Sequence, residues 1–495
     1  MTNILPATLL CDFYKLSHRE QYPNNTEIIY STFTPRSNKY FPIADKIVVF
    51  GIQAFIKKYL INYFNKNFFR RRKEDVIAEY ERVVRFSLGK NNPDSTHIKE
   101  LWELGYLPIE IKCLPEGTLA PIKVPILTVE NTDKKFFWVT NYLETIISTQ
   151  IWQSMTSATI ALQYKKVLEE YALKTTGSTD GVQFQGHDFS MRGMSSLESA
   201  QLSGAGHLLS FVGTDTIPAI LYLEEYYNAN IEKELVGTSI SATEHSVMCA
   251  NADETLDETE TFRRFMTEVY PTGIFSIVSD TYDFWDNVGR VLPALKDTIM
   301  SRDGKVVIRP DSGDPVLVLC GNPDGETELE RKGLVEVLWD IFGGTVTAQG
   351  YKLLDPHIGA IYGDSITVER ATEIVKRLEQ KGFASTNVVF GIGSFTYQYN
   401  TRDTFGFAMK ATWAQIDGVE KQIFKDPKTD DGLKKSQKGR VVVIESQGEI
   451  TYKDGLYKHE ADALDYIDLL QPVFRNGKLL VDQSLSEIRE HLQNQ

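Results

Sequence analysis

From about residue 180 the chain repeats one pattern six times: a short apolar run, a tip rich in Gly, Asp or Arg, then a segment long enough for a helix. The runs close with Gly186-His-Asp-Phe-Ser-Met-Arg192, Gly213-Thr-Asp215, Val278-Ser-Asp280, Ile308-Arg-Pro-Asp-Ser-Gly313, Tyr362-Gly-Asp364 and Phe390-Gly-Ile-Gly393. Strands that alternate with helices predict a parallel sheet. A (β/α) barrel gathers such tips at one face, where its active sites sit. An open doubly wound sheet produces the same pattern.

The flanks read differently. Val76, Ile77, Tyr80, Val83 and Val84 fall at helical spacing, with Gly89 as a stop. Ile109, Ile111 and Cys113 alternate with Glu110 and Lys112, and 122–129 reads as a second strand after Pro121. A long helix is expected from Asp133, a plausible N-cap, to about Trp152. After residue 400 the signals turn antiparallel: 440–445 and 449–452 flank Gln447-Gly448, and 473–480 carries the Asn-Gly of a tight hairpin. Ser484 and Glu487 form a capping-box pair. The fold class is therefore α/β, with an irregular (β/α) barrel-like domain over 151–400. Beside it, a discontinuous α+β domain is built from 1–150 and 401–495.

Composition narrows the function. With 53 Lys+Arg against 67 Asp+Glu the formal charge is −14, which argues against nucleic acid or a membrane surface as the main partner. Any anionic ligand must be captured by a local cluster. The four cysteines, Cys11, Cys113, Cys249 and Cys320, show no CxxC spacing, so neither a disulfide framework nor a zinc site is expected, and a reducing cytoplasm is the plain reading. No export signal or membrane span is expected either. The eight histidines form no HxH or HExxH pattern, and GxSxG and Walker A motifs are absent, which leaves anion chemistry at the strand tips.

Arg192 and Arg309 suit phosphate capture, since a guanidinium offers a flat fork of donors, although each also suits a salt bridge to a nearby Asp. Gly363, Gly391 and Gly393 allow backbone N–H groups to approach the same anion. Asp280, Asp311 and Asp364 suit ribose hydroxyls, a magnesium ion shared with phosphate, or the caps of the following helices.

Words of the sequence then match a family. Asp12-Phe-Tyr-Lys15, Leu107-Pro-Ile-Glu-Ile-Lys112, His187-Asp-Phe189, Gly213-Thr-Asp-Thr216, Glu244-His-Ser246, Ile308-Arg-Pro-Asp-Ser-Gly313, Gly350-Tyr-Lys-Leu-Leu354, Thr401-Arg-Asp403 and Phe424-Lys-Asp-Pro427 run in order along nearly the whole chain. With them the chain resembles the nicotinamide phosphoribosyltransferases, of the type II phosphoribosyltransferase class. The resemblance implies transfer of a phosphoribosyl group from phosphoribosyl pyrophosphate to nicotinamide in NAD salvage, with Mg2+ present. It also implies ATP as co-substrate and a homodimer with active sites at the subunit interface.

By the same resemblance Phe189 and Tyr14 sandwich the pyridine ring, Tyr14 reaching in from the second subunit. Asp215 accepts a hydrogen bond from the carboxamide, and Ser239 joins the substrate contacts. His245 is the histidine phosphorylated by ATP, with Asp280 as its carboxylate partner and Glu244 as a lesser candidate. Arg309 and Asp311 become phosphate and ribose contacts, Arg192 a substrate contact, and Gly363, Asp364, Gly391 and Gly393 the product phosphate and ribose site. Arg36, Arg402, Lys410 and Lys425 form a basic fringe on the pyrophosphate side. The chain departs from the family pattern at Ser190, Met191, Ser365 and Ser394. Two other readings stand beside this one: a nicotinate phosphoribosyltransferase, and a catalytically silent homologue that binds a precursor.

Overall fold

A computed structural model describes residues 5–425 and 436–495. Asp426 and Pro427 of the Phe424-Lys-Asp-Pro427 motif lie outside the described residues. The chain forms two compact units, one of Met1–Thr159, Tyr222–Ala229 and Asn400–Gln495, the other of Ile160–Leu221 and Asn230–Tyr399. No helix among the described residues is long and apolar enough to cross a membrane.

The second unit is built on a parallel sheet. Its order is Gly213–Thr214, Gly186–Asp188, Val388–Ile392, Ile358–Tyr362, Val306–Arg309, Phe275–Val278 and Ser241–Ala242. All six runs seen in the sequence are among these strands. Their β-branched and aromatic residues are buried on both faces, as in Val306, Val307 and Ile308 or in all of Ile358–Tyr362, which is the pattern of a sheet covered on each side. The seventh strand, Ser241–Ala242, is exposed and too short for an apolar run to announce it. Thr238, just before it, forms a parallel bridge to Gly213 while Ser241 pairs with Phe275. One short segment thus touches both edge strands and the sheet curls on itself, so the barrel-like alternative is the one adopted.

The first unit carries a seven-stranded antiparallel sheet whose strands come from both ends of the chain. Its order is Val419–Gln422, Ala408–Ile416, Thr26–Thr34, Leu127–Asn131, Ile109–Cys113, Gln471–Arg475 and Lys478–Leu479. Phe33 and Phe407 stack at 5.6 Å within its core, and Arg440 lies over the Trp413 and Tyr30 rings at 4.2 and 4.8 Å. The Asn-Gly hairpin is present, with φ of 49° at Asn476 and 79° at Gly477, and both bonds of the Ser484–Glu487 capping box form.

Two local expectations fail. Asp133 does act as a cap, but of the short 3-10 turn Lys134–Phe136, and the long helix begins at Glu144 and runs to Thr176. Lys134, Lys135 and the aromatic pair Phe136-Phe137 fit a turn tied down by ion pairs to Glu27 and Glu100 better than a continuous helix. The stretch 122–129 is likewise no single strand. Leu119–Pro121 and Leu127–Asn131 are separate strands, split by Lys123, which adopts φ of 79°.

Candidate active site

Six of the parallel strands bring their tips to one end of the curled sheet. The pair Gly186–Asp188 and Val388–Ile392 places Phe189, whose N–H donates to Ile392 O at 2.9 Å. Its ring lies on two glycine tips: a Cβ on Gly391 would stand 2.4 Å from it and one on Gly363 3.4 Å from it. Here glycine is demanded by contact rather than by φ. Asp215, at the end of Gly213–Thr214, is fixed by its N–H to Asp188 O at 2.9 Å. Its Oδ1 accepts from His187 Nε2 at 2.8 Å and from Ser239 Oγ at 2.6 Å. Burial opposes the charge of Asp215, but these two hydrogen bonds outweigh it and hold the carboxyl below its ordinary value.

Phe189, Asp215, Ser239 and Arg309 line a pocket of about 260 Å³. Ile240, Val307, Ile361 and Val389 form apolar wall. A flat ring fits such a space: aromatic and aliphatic surface grips its faces and one carboxylate orients a polar substituent.

A second cluster adjoins the first through Arg309. That guanidinium donates to Thr243 O at 2.9 Å and its Nε stands 3.4 Å from Asp311 Oδ1. Asp280 Oδ2 accepts from Asp311 N at 3.0 Å and Ser312 Oγ at 2.5 Å, while its Oδ1 faces His245 Nε2 at 3.7 Å. The other ring nitrogen of His245 lies 3.3 Å from Thr281 Oγ1. Glu244 bonds Ser246, leaving Asp280 as the carboxylate beside the histidine. Asp311 Oδ1 is buried without a hydrogen-bond partner, and burial pushes its carboxyl upward although Arg309 opposes the shift. A Cβ on Gly363 would come 2.7 Å from that oxygen, so the glycine keeps the space beside it open. Asp364 is exposed, and Ser365 takes φ of 48°, in the left-handed region.

The remaining expected residues are not among those that line the pocket. Arg192 is exposed on the turn Met191–Gly193; a Cβ on Gly193 would meet Ser394 Oγ at 2.0 Å, so this turn packs beside the last tip. Nothing lies within 4 Å of a Cβ built on Gly393. Ser190 is put to use, its N–H and hydroxyl both donating to buried Asp188 Oδ1 at 2.9 and 2.6 Å. Tyr14, Arg36, Arg402, Lys410 and Lys425 belong to the first unit and none lines the pocket. Tyr14 is 55% exposed at the start of Lys15–Gln21. Desolvation pushes the Lys410 ammonium below its ordinary value; Glu144 opposes this while Arg36, Lys15 and Lys425 add to it, so those cations share one neighbourhood. Arg402 is exposed and paired with Asp403 at 3.4 Å.

His187 was not singled out by the sequence, although it belongs to the His187-Asp-Phe189 motif. The signal was its position two residues before Phe189, which puts both side chains on one face of an extended segment.

The family model described as nicotinate phosphoribosyltransferase (NAPRTase) family matches residues 184–478, and that of the nicotinamide phosphoribosyltransferase N-terminal domain matches 5–111. A nicotinamide phosphoribosyltransferase of Acinetobacter baylyi is 51% identical over 495 residues, covering 98% of this chain and 96% of its own. One of Mycoplasma pneumoniae is 36% identical over 441 residues, with 86% and 93% covered. Among solved structures, nicotinate-nucleotide pyrophosphorylase from Pyrococcus furiosus superposes with a TM-score of 0.60 at 16% identity, covering 99% of this chain and 95% of that one. Human nicotinic acid phosphoribosyltransferase gives 0.54 at 16%, with 98% and 93% covered, and both likenesses speak for the fold alone. On the strength of the sequence relatives, which match it nearly end to end, the chain belongs to the nicotinamide phosphoribosyltransferase family.

Proposed function

We propose that this protein transfers the phosphoribosyl group of phosphoribosyl pyrophosphate to nicotinamide, giving nicotinamide mononucleotide and pyrophosphate in NAD salvage. The observation that carries the reading is the Asp215 carboxylate in the lining of the pocket that also holds Phe189. A carboxylate accepts from the carboxamide N–H but repels the carboxylate of nicotinic acid. The pyridine nitrogen lone pair forms the bond to the anomeric carbon as the bond to pyrophosphate oxygen breaks. No proton need move, so positioning and electrostatics supply most of the acceleration. Phe189 holds the ring face, Arg309 meets phosphate, and Asp311 meets ribose.

Mg2+ fits beside Asp311. Among the described residues no three His, Cys, Asp or Glu side chains gather as a ready cage. Asp311 Oδ1, which accepts no hydrogen bond and has the Arg309 guanidinium 3.4 Å away, suits an ion that takes one or two carboxylates and otherwise phosphate oxygens and water. When bound there it supplies charge that stabilises the leaving pyrophosphate.

ATP is the co-substrate through His245. One ring nitrogen attacks the γ-phosphorus, the bond to ADP breaks, and Asp280 steadies the imidazole. A homodimer, with Tyr14 of one subunit closing the ring site of the other and the Arg36, Arg402, Lys410 and Lys425 fringe beside pyrophosphate, completes the proposal. Arg192, Gly363, Asp364, Gly391 and Gly393 then lie on the product phosphate and ribose side. All four cysteines are unpaired, which suits a cytosolic enzyme. Purified protein given phosphoribosyl pyrophosphate, Mg2+ and nicotinamide should release nicotinamide mononucleotide; product from nicotinic acid alone would overturn the substrate assignment.

A further inference from the structure

Asp215 is held by two neighbours on a single oxygen. His187 Nε2 and Ser239 Oγ lie 2.8 and 2.6 Å from Oδ1, and because a carboxylate only accepts, both neighbours donate. The two members of the ion pair differ in access: the His187 side chain is 11% exposed and that of Asp215 52%. His187 also lines the pocket and its ring centre lies 4.8 Å from that of Phe189. The imidazole is therefore the inner partner of the carboxylate that meets the substrate.

Imidazole is the side chain whose charge changes near neutral pH. While it is neutral, the His187–Asp215 pair presents one negative charge to the pocket; once it is protonated, the pair presents none. We propose that His187 is a specificity-determining residue, its neutral form letting Asp215 select a pyridine carboxamide and its protonated form admitting the pyridine carboxylate. The proposal rests on the pyridine reading given above and adds to it the group that sets the selectivity.

The other charged and titratable groups around His187 are few. Arg309 lines the pocket and attracts Asp215, with the fixed charge of a guanidinium. Lys305 lies on the pocket wall, where burial lowers its ammonium and Asp355 opposes the shift. His207, in the helix Leu197–His207, feels the charge of His187 but is itself kept neutral by burial, bonded to Tyr397 and to Gly213 O at 2.7 and 2.9 Å. Asp188, next along the strand, is turned to Ser190 and Thr214. None of these takes the place of His187 against Asp215.

Two consequences follow from linkage. Selectivity for the amide should weaken as pH falls, and binding of the acid should draw a proton onto the protein while binding of the amide should not. The test is calorimetric titration of the full chain with nicotinamide and with nicotinic acid from about pH 5.5 to about pH 8.5, in buffers of different ionisation enthalpy. The expected result is an amide-to-acid affinity ratio that rises about tenfold with pH, with proton uptake for the acid alone. His187→Gln, which keeps an N–H donor in place and never charges, should flatten the ratio. A ratio flat in the natural protein, a slope that survives His187→Gln, or equal proton uptake by both ligands would overturn the assignment. The proton-uptake reading needs no variant. Binding that behaves as expected without turnover would sink the transferase reading alone, turnover of nicotinamide with a flat ratio would sink the role of His187 alone, and no binding of either pyridine would sink both.

Discussion

Phe189 rests on Gly391 so closely that a methyl group on the glycine would stand 2.4 Å from the ring and 2.8 Å from the Gly363 Cα. Gly391→Ala must push the ring into the space proposed for the pyridine. The expected outcome is a folded protein whose kcat/KM for nicotinamide falls about 10- to 100-fold, since a displacement near 1 Å at a positioning group costs that much. Steady-state kinetics with a melting curve check it, and a kcat/KM within twofold of the natural protein would show that Phe189 does not hold the substrate.

His245 stands 3.7 Å from Asp280 and is half exposed, accessible to a nucleotide without leaving its partner. His245→Ala should abolish nicotinamide-stimulated ATP hydrolysis and acid-labile phosphate on the protein, while transfer without ATP persists. The check is ATP turnover beside mononucleotide formation; ATP hydrolysis that survived would place the phosphoryl acceptor elsewhere.

Away from the site, burial pushes the His97 imidazole down to about 4, and its Nδ1 has no hydrogen-bond partner. The folded-state value lies below the unfolded one, so as pH falls the unfolded chain takes up the proton first. Stability is then full above about pH 6.5 and declines by up to about 3 kcal/mol as pH approaches 4. His97→Phe, which keeps the contact with Trp138, should remove that share of the acid sensitivity. Chemical denaturation at several pH values reads the slope, and an unchanged slope would mean that His97 is protonated in the fold.

Much of this arrangement was legible in the sequence because each parallel strand announces itself twice, by an apolar run and by the polar tip that ends it. The tips brought Asp215, Asp280, Arg309, Asp311 and Gly363 to one end of one sheet, as their positions implied. Ser241–Ala242 escaped notice because two exposed residues pair by backbone alone. The helix that starts at Glu144 is announced too early because Asp133 makes a genuine cap whose helix ends after one turn, where Lys134 and Lys135 pair with distant Glu27 and Glu100. His187 was passed over for a related reason: its role comes from Asp215 and Ser239, 28 and 52 residues away, and only the curled sheet brings them together.

In the proposed reaction Asp215 is the group that chooses the pyridine. The decisive measurement is kcat/KM for nicotinamide and for nicotinic acid, side by side, in the natural protein and in Asp215→Ser, at saturating phosphoribosyl pyrophosphate and Mg2+. The natural protein should favour the amide, and the variant should lose about 10- to 100-fold on nicotinamide while nicotinic acid is unchanged or improved. Equal losses on both substrates would contradict it and leave Asp215 as a structural anchor for His187 and Ser239.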